Sequence, residues 1–151
     1  MKSFMKIATT ICGTMALAAT AAFASIAPQQ AAIGGIEPGM TLEQAQSIGG
    51  KIVSSDAKKL VFENGVIAKV DDDRPGIVEE VTLKSGTAKT AAGISLGMGA
   101  DALNNAYGQA DKVDYDRHDT EYIYYTTDGT KKIEFKVKNG VIVKISCELR
   151  N

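Results

Sequence analysis

Two stretches of this chain repeat one another at a fixed offset. Ile36-Glu37-Pro38-Gly39-Met40-Thr41-Leu42-Glu43 and Ile94-Ser95-Leu96-Gly97-Met98-Gly99-Ala100-Asp101 share the pattern Ile-x-x-Gly-Met-x-x-acid, 58 residues apart (Ile36 to Ile94). A short helical pattern follows each, closed by Gly50 and Gly108. An internal repeat constrains architecture before local propensity does, because one unit cannot bury its own apolar face and must pack on its copy. A duplicated small module also points to a binding surface rather than an enclosed active site.

In the first copy, Thr41 and Gln44 make a capping box, and Leu42, Ala45 and Ile48 fall on one face. In the second copy, Asp101 stands in the first turn, where the helix dipole favours a negative charge. Met98, Ala102, Leu103 and Ala106 form its apolar stripe. Both helices are too short to stand alone and must dock on strands. Gly39 with Met40 and Gly97 with Met98 are therefore read as a structural helix-entry device, glycine for the turn and methionine for the helix–sheet core.

The strands follow. In the second copy they are Glu121 to Thr126, Lys131 to Lys138 and Val141 to Leu149, separated by Thr127-Asp128-Gly129 and Asn139-Gly140. Asp-Gly and Asn-Gly between alternating segments signal hairpins, because the tight turn needs positive φ. Ile133, Phe135 and Val137 face one way. On the last strand Val141, Val143, Ile145, Cys147 and Leu149 are expected to share the core face. Asn64-Gly65-Val66-Ile67 matches Asn139-Gly140-Val141-Ile142, but that register leaves Asp71 to Lys89 without a counterpart. Matching Gly76 to Gly140 instead gives both copies one order, with strands at Lys59 to Glu63, Val66 to Val70 and Ile77 to Leu83 in the first. The expected fold is α+β: two tandem α-β-β-β repeats, 34–90 and 91–151, forming one antiparallel sheet of about six strands with the short helices on one face.

Lys2 and Lys6, the apolar run Ile7 to Ala22, and Ala22-Phe23-Ala24 have the three-part pattern of a bacterial-type secretory signal peptide over residues 1–24, cleaved after Ala24. Cys12, preceded by Thr9-Thr10-Ile11, lacks a lipoprotein context, so a soluble periplasmic or extracellular protein is expected. Residues 25–33 show no periodicity and read as a flexible leader. Removing the signal leaves 15 basic against 18 acidic residues, which argues against nucleic acid and against an anionic membrane surface. Cys147 is then the one cysteine, so no internal disulfide can form, and its phase places it in the core.

The Gly-Met helix entry, apolar helix, glycine and three-stranded meander resemble the β-lactamase-inhibitor-protein-like modules and the SmpA/OmlA outer-membrane assembly proteins. Gly39-Met40-Thr41-Leu42-Glu43 and Gly97-Met98-Gly99-Ala100-Asp101 carry the likeness. The chain lacks the lipid-attachment cysteine of the second group and the cysteine pairs of the first. The resemblance implies a non-catalytic protein whose tandem repeats build one partner-gripping sheet.

All five tyrosines fall between Tyr107 and Tyr125. With Ile123 assigned to the core, Tyr122 and Tyr124 are expected on the polar face beside Lys132, Glu134 and Lys144, with Tyr115 nearby. Exposed tyrosine supplies stiff contact area with a polar handle, as binding hot spots do. The alternative centres on the Asp111–Asp119 loop, where Asp114, Asp116 and His118 could serve a small ligand, a metal or catalysis. Lys112 and Arg117 offset its charge, and no calcium-loop glycine is present. Asp71-Asp72-Asp73-Arg74-Pro75-Gly76 reads as a solvated turn. No G-x-S-x-G, H-E-x-x-H, phosphate-binding glycine loop or Cys-x-x-Cys occurs, and no cofactor is implied. The reading is an exported protein- or peptide-binding module, an inhibitor of a secreted hydrolase or an envelope-assembly accessory.

Overall fold

A computed structural model describes residues 25–150; the signal-peptide reading over 1–24 lies outside the described residues. The elements are α1 (Leu42–Gly49), β1 (Ile52–Asp56), β2 (Lys59–Phe62), β3 (Val66–Val70), β4 (Val78–Leu83), α2 (Asp101–Tyr107), β5 (Lys112–Tyr115), β6 (Thr120–Tyr125), β7 (Lys131–Lys138) and β8 (Val141–Leu149). All eight strands form one antiparallel sheet in the order β1-β2-β3-β4-β8-β7-β6-β5. Each helix leads into a four-stranded meander, and the two meanders join along β4 and β8. The α+β class and the single antiparallel sheet are as expected, but six strands become eight. β1 and β5, the two sheet edges, had no counterpart in the sequence reading. β1 is exposed along its whole length and β5 has four residues, so neither carries the inside–outside alternation that marks a strand.

The repeated Gly-Met elements act through their backbones. Gly39 and Gly97 hold φ of +94° and +84°, in the left-handed region open to glycine. That bend aims the chain at a central strand. Gly39 N–H donates to Val78 O at 2.7 Å, and Val78 N–H donates to Met40 O at 2.8 Å. Gly97 N–H donates to Ile142 O at 2.8 Å, and Ile142 N–H donates to Met98 O at 2.9 Å. Both methionines are half-buried, and Met98 packs against the main core cluster. The Thr41–Gln44 capping box forms as the sequence requires: Gln44 N–H donates to Thr41 Oγ1 at 3.2 Å and Thr41 N–H to Gln44 Oε1 at 2.9 Å.

The core lies on the helix-bearing face. Directly opposed residues of an antiparallel pair share a face. The register thus aligns Ala68, Val81, Cys147 and Ile133 in one row, and Val66, Leu83, Ile145, Phe135 and Tyr122 in the next. A bulge lies in each central strand, where Val70 opposes Val78 and Val137 opposes Ile142, leaving Glu79 and Val143 as the extra residues. The bulge corrects the expected phase of β8: Ile142 is buried, whereas Val141 and Val143 are exposed.

Residues 25–33 are not a flexible leader. Ile26, Ala31, Ala32 and Ile33 are buried. Ile26 N–H donates to Tyr125 O at 3.0 Å, and Thr127 N–H donates to Ile26 O at 2.9 Å. An uncharged run of isoleucine and alanine gains more from covering the open end of this small core than from solvation. Farther on, a half-buried ion pair between Glu37 and Lys131, 2.6 Å, ties the first Gly-Met element to β7.

Gly49 and Gly50 close α1 as expected, with Gly50 at φ +78°. Gly49 has a further reason to be glycine. A Cβ there would lie 2.4 Å from Cε1 of the buried Phe62 ring. Gly49→Ala should therefore destabilise the fold by about 1–3 kcal/mol, overpacking outweighing the gain of about 1 kcal/mol in helix propensity. Urea unfolding of the two proteins checks this; an unchanged or raised midpoint would contradict it.

Candidate functional site: the open sheet face

No described helix or loop packs over the other side of the sheet. Across β4, β8 and β7, the register brings Thr82, Ser146 and Glu134 into one row and Glu80, Glu148 and Lys132 into the next. Lys144 and Lys136 face each other one row farther along, and Ile123 and Tyr125 on β6 continue the face. Thr82 and Ser146 are only 2% and 1% exposed, and Ile123 only 6%, although they lie on this uncovered side. Small side chains on the central strands lie beneath the stems of longer neighbours, which keep their charged ends in water.

Most of those charges are paired. Lys132 Nζ bridges Glu134 (2.6 Å) and Glu148 (3.1 Å), and Lys136 bridges Glu121 (2.9 Å) and Asp119 (3.6 Å). Glu80 pairs with Lys69 and accepts from the Thr82 hydroxyl at 2.6 Å. Burial alone would lower the affinity of Lys132 for its proton, but Glu134 and Glu148 override that and hold its pKa above the ordinary value.

At the end of β8, the Arg150 guanidinium lies over the Tyr125 ring, 4.3 Å from its centroid. Such a contact contributes about 0.5–1 kcal/mol at an exposed position. The β6–β7 turn holds Arg150 in place: its N–H donates to Thr130 O at 2.8 Å and Nη1 to Gly129 O at 3.4 Å. Asp128 organises that turn by accepting from the Thr126 hydroxyl (2.6 Å), the Thr130 N–H (3.0 Å) and the Thr130 hydroxyl (2.8 Å). These donors, the Thr126 hydroxyl foremost, bring the Asp128 carboxyl down to about 2.

The structure divides the residues grouped from sequence. Lys132, Glu134 and Lys144 do lie on the open face. Tyr122 and Tyr124 do not: they oppose Phe135 and Ile133 on the helix side, while Ile123 faces outward opposite Glu134. Tyr124, 1% exposed, packs against Tyr107 and Phe135 with centroid distances of 5.3 and 6.0 Å, and its hydroxyl donates to Gly108 O at 3.2 Å. Tyr122 is half-buried beside α2. Tyr115, 81% exposed, ends β5 apart from the rest. The aromatic residue that does reach the open face is Tyr125, in phase with Ile123 and opposite Lys132.

Around His118 the Asp111–Asp119 segment borders a shallow polar recess. This recess, of about 370 Å³, is lined by Asp116, Arg117, Asp119, Thr120 and Asn139 among others. Among the described residues no three His, Cys, Asp or Glu side chains are placed to hold one metal ion. Asp111 has a structural task, accepting from Tyr125 N–H at 2.8 Å. A larger recess of about 630 Å³ borders the 71–76 turn. There Asp71 accepts from Asp73 N–H, Arg74 N–H and the Arg74 guanidinium, and Asp72 pairs with Lys58 at 2.9 Å. Burial would raise the Asp71 carboxyl, but Arg74 and the two backbone donors outweigh it and hold it below the usual range. Cys147 is fully buried, and burial pushes its thiol well up, as suits a packing residue rather than a nucleophile.

No family model matches the chain, and no curated protein matches it. Among solved structures it is similar to a DUF4309 family protein (YjgB) from Bacillus subtilis, at 15% identity and a TM-score of 0.48, over 73% of this chain and 78% of that one.

Two outcomes follow from this geometry. Tyr124→Ala should cost about 3–5 kcal/mol of stability, as for other buried aromatics, whereas Lys132→Ala should cost about 1 kcal/mol or less. Chemical denaturation of both variants separates them, and equal losses would contradict the face assignment. Asp128 is held at about 2 in the folded protein against an ordinary 3.8, so its contribution is complete above about pH 4 and is lost as pH falls toward 2. Melting temperature should therefore drop across that window, and less steeply in Asp128→Ala; parallel profiles would refute the role of Asp128.

Proposed function

We propose that the chain is an exported, non-catalytic module of two tandem units that binds a protein partner on its open sheet face. Support for the duplication comes from backbone bonds that recur with the sequence offsets. Gly39 and Gly97 dock on Val78 and Ile142, and Leu42 N–H and Ala100 N–H donate to Gly76 O and Gly140 O. The bulged residues Glu79 and Val143 stand at the same relative positions. Each unit is then a helix and four strands rather than a helix and three. The signal-peptide pattern supports export, and the resemblance to inhibitor and envelope-assembly modules supports a non-catalytic role.

One observation carries the binding reading: a whole face of an eight-stranded sheet is left uncovered, yet its side chains are already ordered. At about 4.8 Å between strands that face spans about 34 Å, enough for the roughly 800 Å² per partner that a standard interface buries. Lys132, Glu134, Lys136 and Glu121 are held in bridging pairs, so little side-chain freedom remains to be lost on association. Tyr125 and Arg150 have the chemistry of hot-spot residues.

The test is affinity capture from the envelope and secreted proteins of the source organism, with two proteins as bait. The native chain should retain a partner. A Tyr125→Ala, Arg150→Ala double variant, folded by circular dichroism, should retain about tenfold less or none. Equal recovery by both baits would overturn the assignment of the face.

A further inference from the structure

The sheet has two free edges, and they differ. β1 is bulged at Val53, where its register to β2 shifts between Ile52 and Ser54. A bulge twists an edge away from incoming strands. β5 pairs with β6 without interruption, from Lys112 opposite Ile123 to Tyr115 opposite Thr120. Its outer side is therefore a regular row of backbone donors and acceptors.

Each side of that edge carries a recess. On the helix side one of about 160 Å³ is lined by Leu103, Ala110, Val113, Tyr122 and their neighbours, and is predominantly apolar. On the open side another, of about 230 Å³, is lined by Asp114, Asp116, Asp119, Glu121, Lys136 and Tyr115. Four carboxylates there meet Lys136, which pairs with Glu121 and Asp119, and Lys112, which pairs with Asp114 at 2.6 Å. Arg117 lines the recess beside His118 instead. The carboxylates thus outnumber the cations by two. Asp116 accepts only from the neighbouring Arg117 N–H.

A strand added to β5 would place successive side chains on opposite faces. The residue opposite Val113 would enter the apolar recess, and those beside it would meet the carboxylates. We propose that β5 is a strand-addition site for an extended peptide segment in which apolar and basic side chains alternate. The acidic excess on one side and the apolar recess on the other select this occupant. The inference rests on the reading that the protein binds protein or peptide partners, but it concerns the sheet edge and not the open face.

The probe is a blocked, fluorescently labelled hexapeptide, Lys-Val-Lys-Leu-Lys-Thr. Its comparisons are the same peptide with Glu for Lys and the block-ordered Lys-Lys-Lys-Val-Leu-Thr. The alternating basic peptide should bind saturably, and shifts in backbone amide resonances should be confined to residues 112–115 and their surroundings. Val113→Lys should weaken binding by about tenfold, and Asp116→Lys, in an exposed loop that cannot unfold the sheet, by about threefold. Both comparison peptides should bind at least about tenfold more weakly. No saturable binding below about 1 mM, or binding indifferent to both substitutions or to the order of residues, would overturn the proposal. Binding that is abolished by Tyr125→Ala with Arg150→Ala but untouched by Val113→Lys would also overturn it, while leaving the open-face reading standing.

Discussion

The seam between β4 and β8 is the contact on which everything else depends. It joins the two meanders, and both Gly-Met elements dock on its two strands. On the helix side Val81 opposes Cys147 and Leu83 opposes Ile145, all fully buried. On the open side the same register sets Glu80 directly opposite Glu148, a like-charge pair that taken alone is unfavourable. Compensation comes from both flanks. Lys69 and the Thr82 hydroxyl hold Glu80, and Lys132 reaches Glu148. Burial works to raise the Glu80 carboxyl, yet Lys69 and Thr82 prevail and keep it below the ordinary range. The ionic ladder on the open face is therefore coupled to the register of the core: a slipped seam would leave one glutamate without its cation and turn the apolar rows outward.

Much of this frame was legible in the sequence because its signals are local and repeated. The capping box, the glycine stops, the Asp-Gly and Asn-Gly turns and the long strands β7 and β8 each follow from a few adjacent residues. The Gly76 and Gly140 carbonyls, each beside a turn the sequence marks with glycine, accept from Leu42 N–H at 2.9 Å and Ala100 N–H at 3.2 Å. What escaped is what depends on distant partners. β1 and β5 are strands because β2 and β6 offer them hydrogen bonds, not because their own residues alternate. Residues 25–33 are ordered because Tyr125 and Thr127 pair with Ile26. The Phe62 ring that makes Gly49 necessary belongs to a different strand.

The misplaced tyrosines teach a narrower lesson. In Tyr122-Ile123-Tyr124-Tyr125 every residue is apolar enough for a core, so alternation within β6 cannot choose a face. The hairpin turn can. Thr126 N–H donates to Lys131 O at 3.0 Å and Gly129 N–H to Thr126 O at 2.9 Å, so the chain reverses over 127–130, and counting outward from Thr126 and Lys131 brings Tyr124 opposite Ile133 and Tyr122 opposite Phe135. Since Ile133 and Phe135 point inward, this register turns Tyr122 and Tyr124 inward as well. Bulges are harder to foresee. Val143 leaves the core phase because one extra residue enters β8 opposite the junction of Lys136 and Val137, and nothing in Val-Ile-Val-Lys-Ile marks the place.

The two four-stranded halves pack their helices differently, and aromatic residues gather around α2. Tyr107, Tyr124 and Phe135 form a three-ring cluster beneath this helix, with Tyr107 5.3 Å from each of the others. In the first half one ring, Phe62, meets bare helix backbone at Gly49. The Tyr107 hydroxyl is buried near Thr90 and Ala92 but makes no well-formed hydrogen bond among the described residues. Burial pushes its pKa up to about 12, so it stays neutral in water at any ordinary pH. An unpaired buried hydroxyl costs about 1–3 kcal/mol, which phenylalanine would avoid. The second half thus tolerates a local cost to place aromatic bulk under α2, while Tyr122 and Tyr124 line the recess between that helix and β5. The tyrosines singled out by their clustering still mark the half of the molecule that carries α2. They do so by shaping the helix side of its edge, while the open face presents Tyr125.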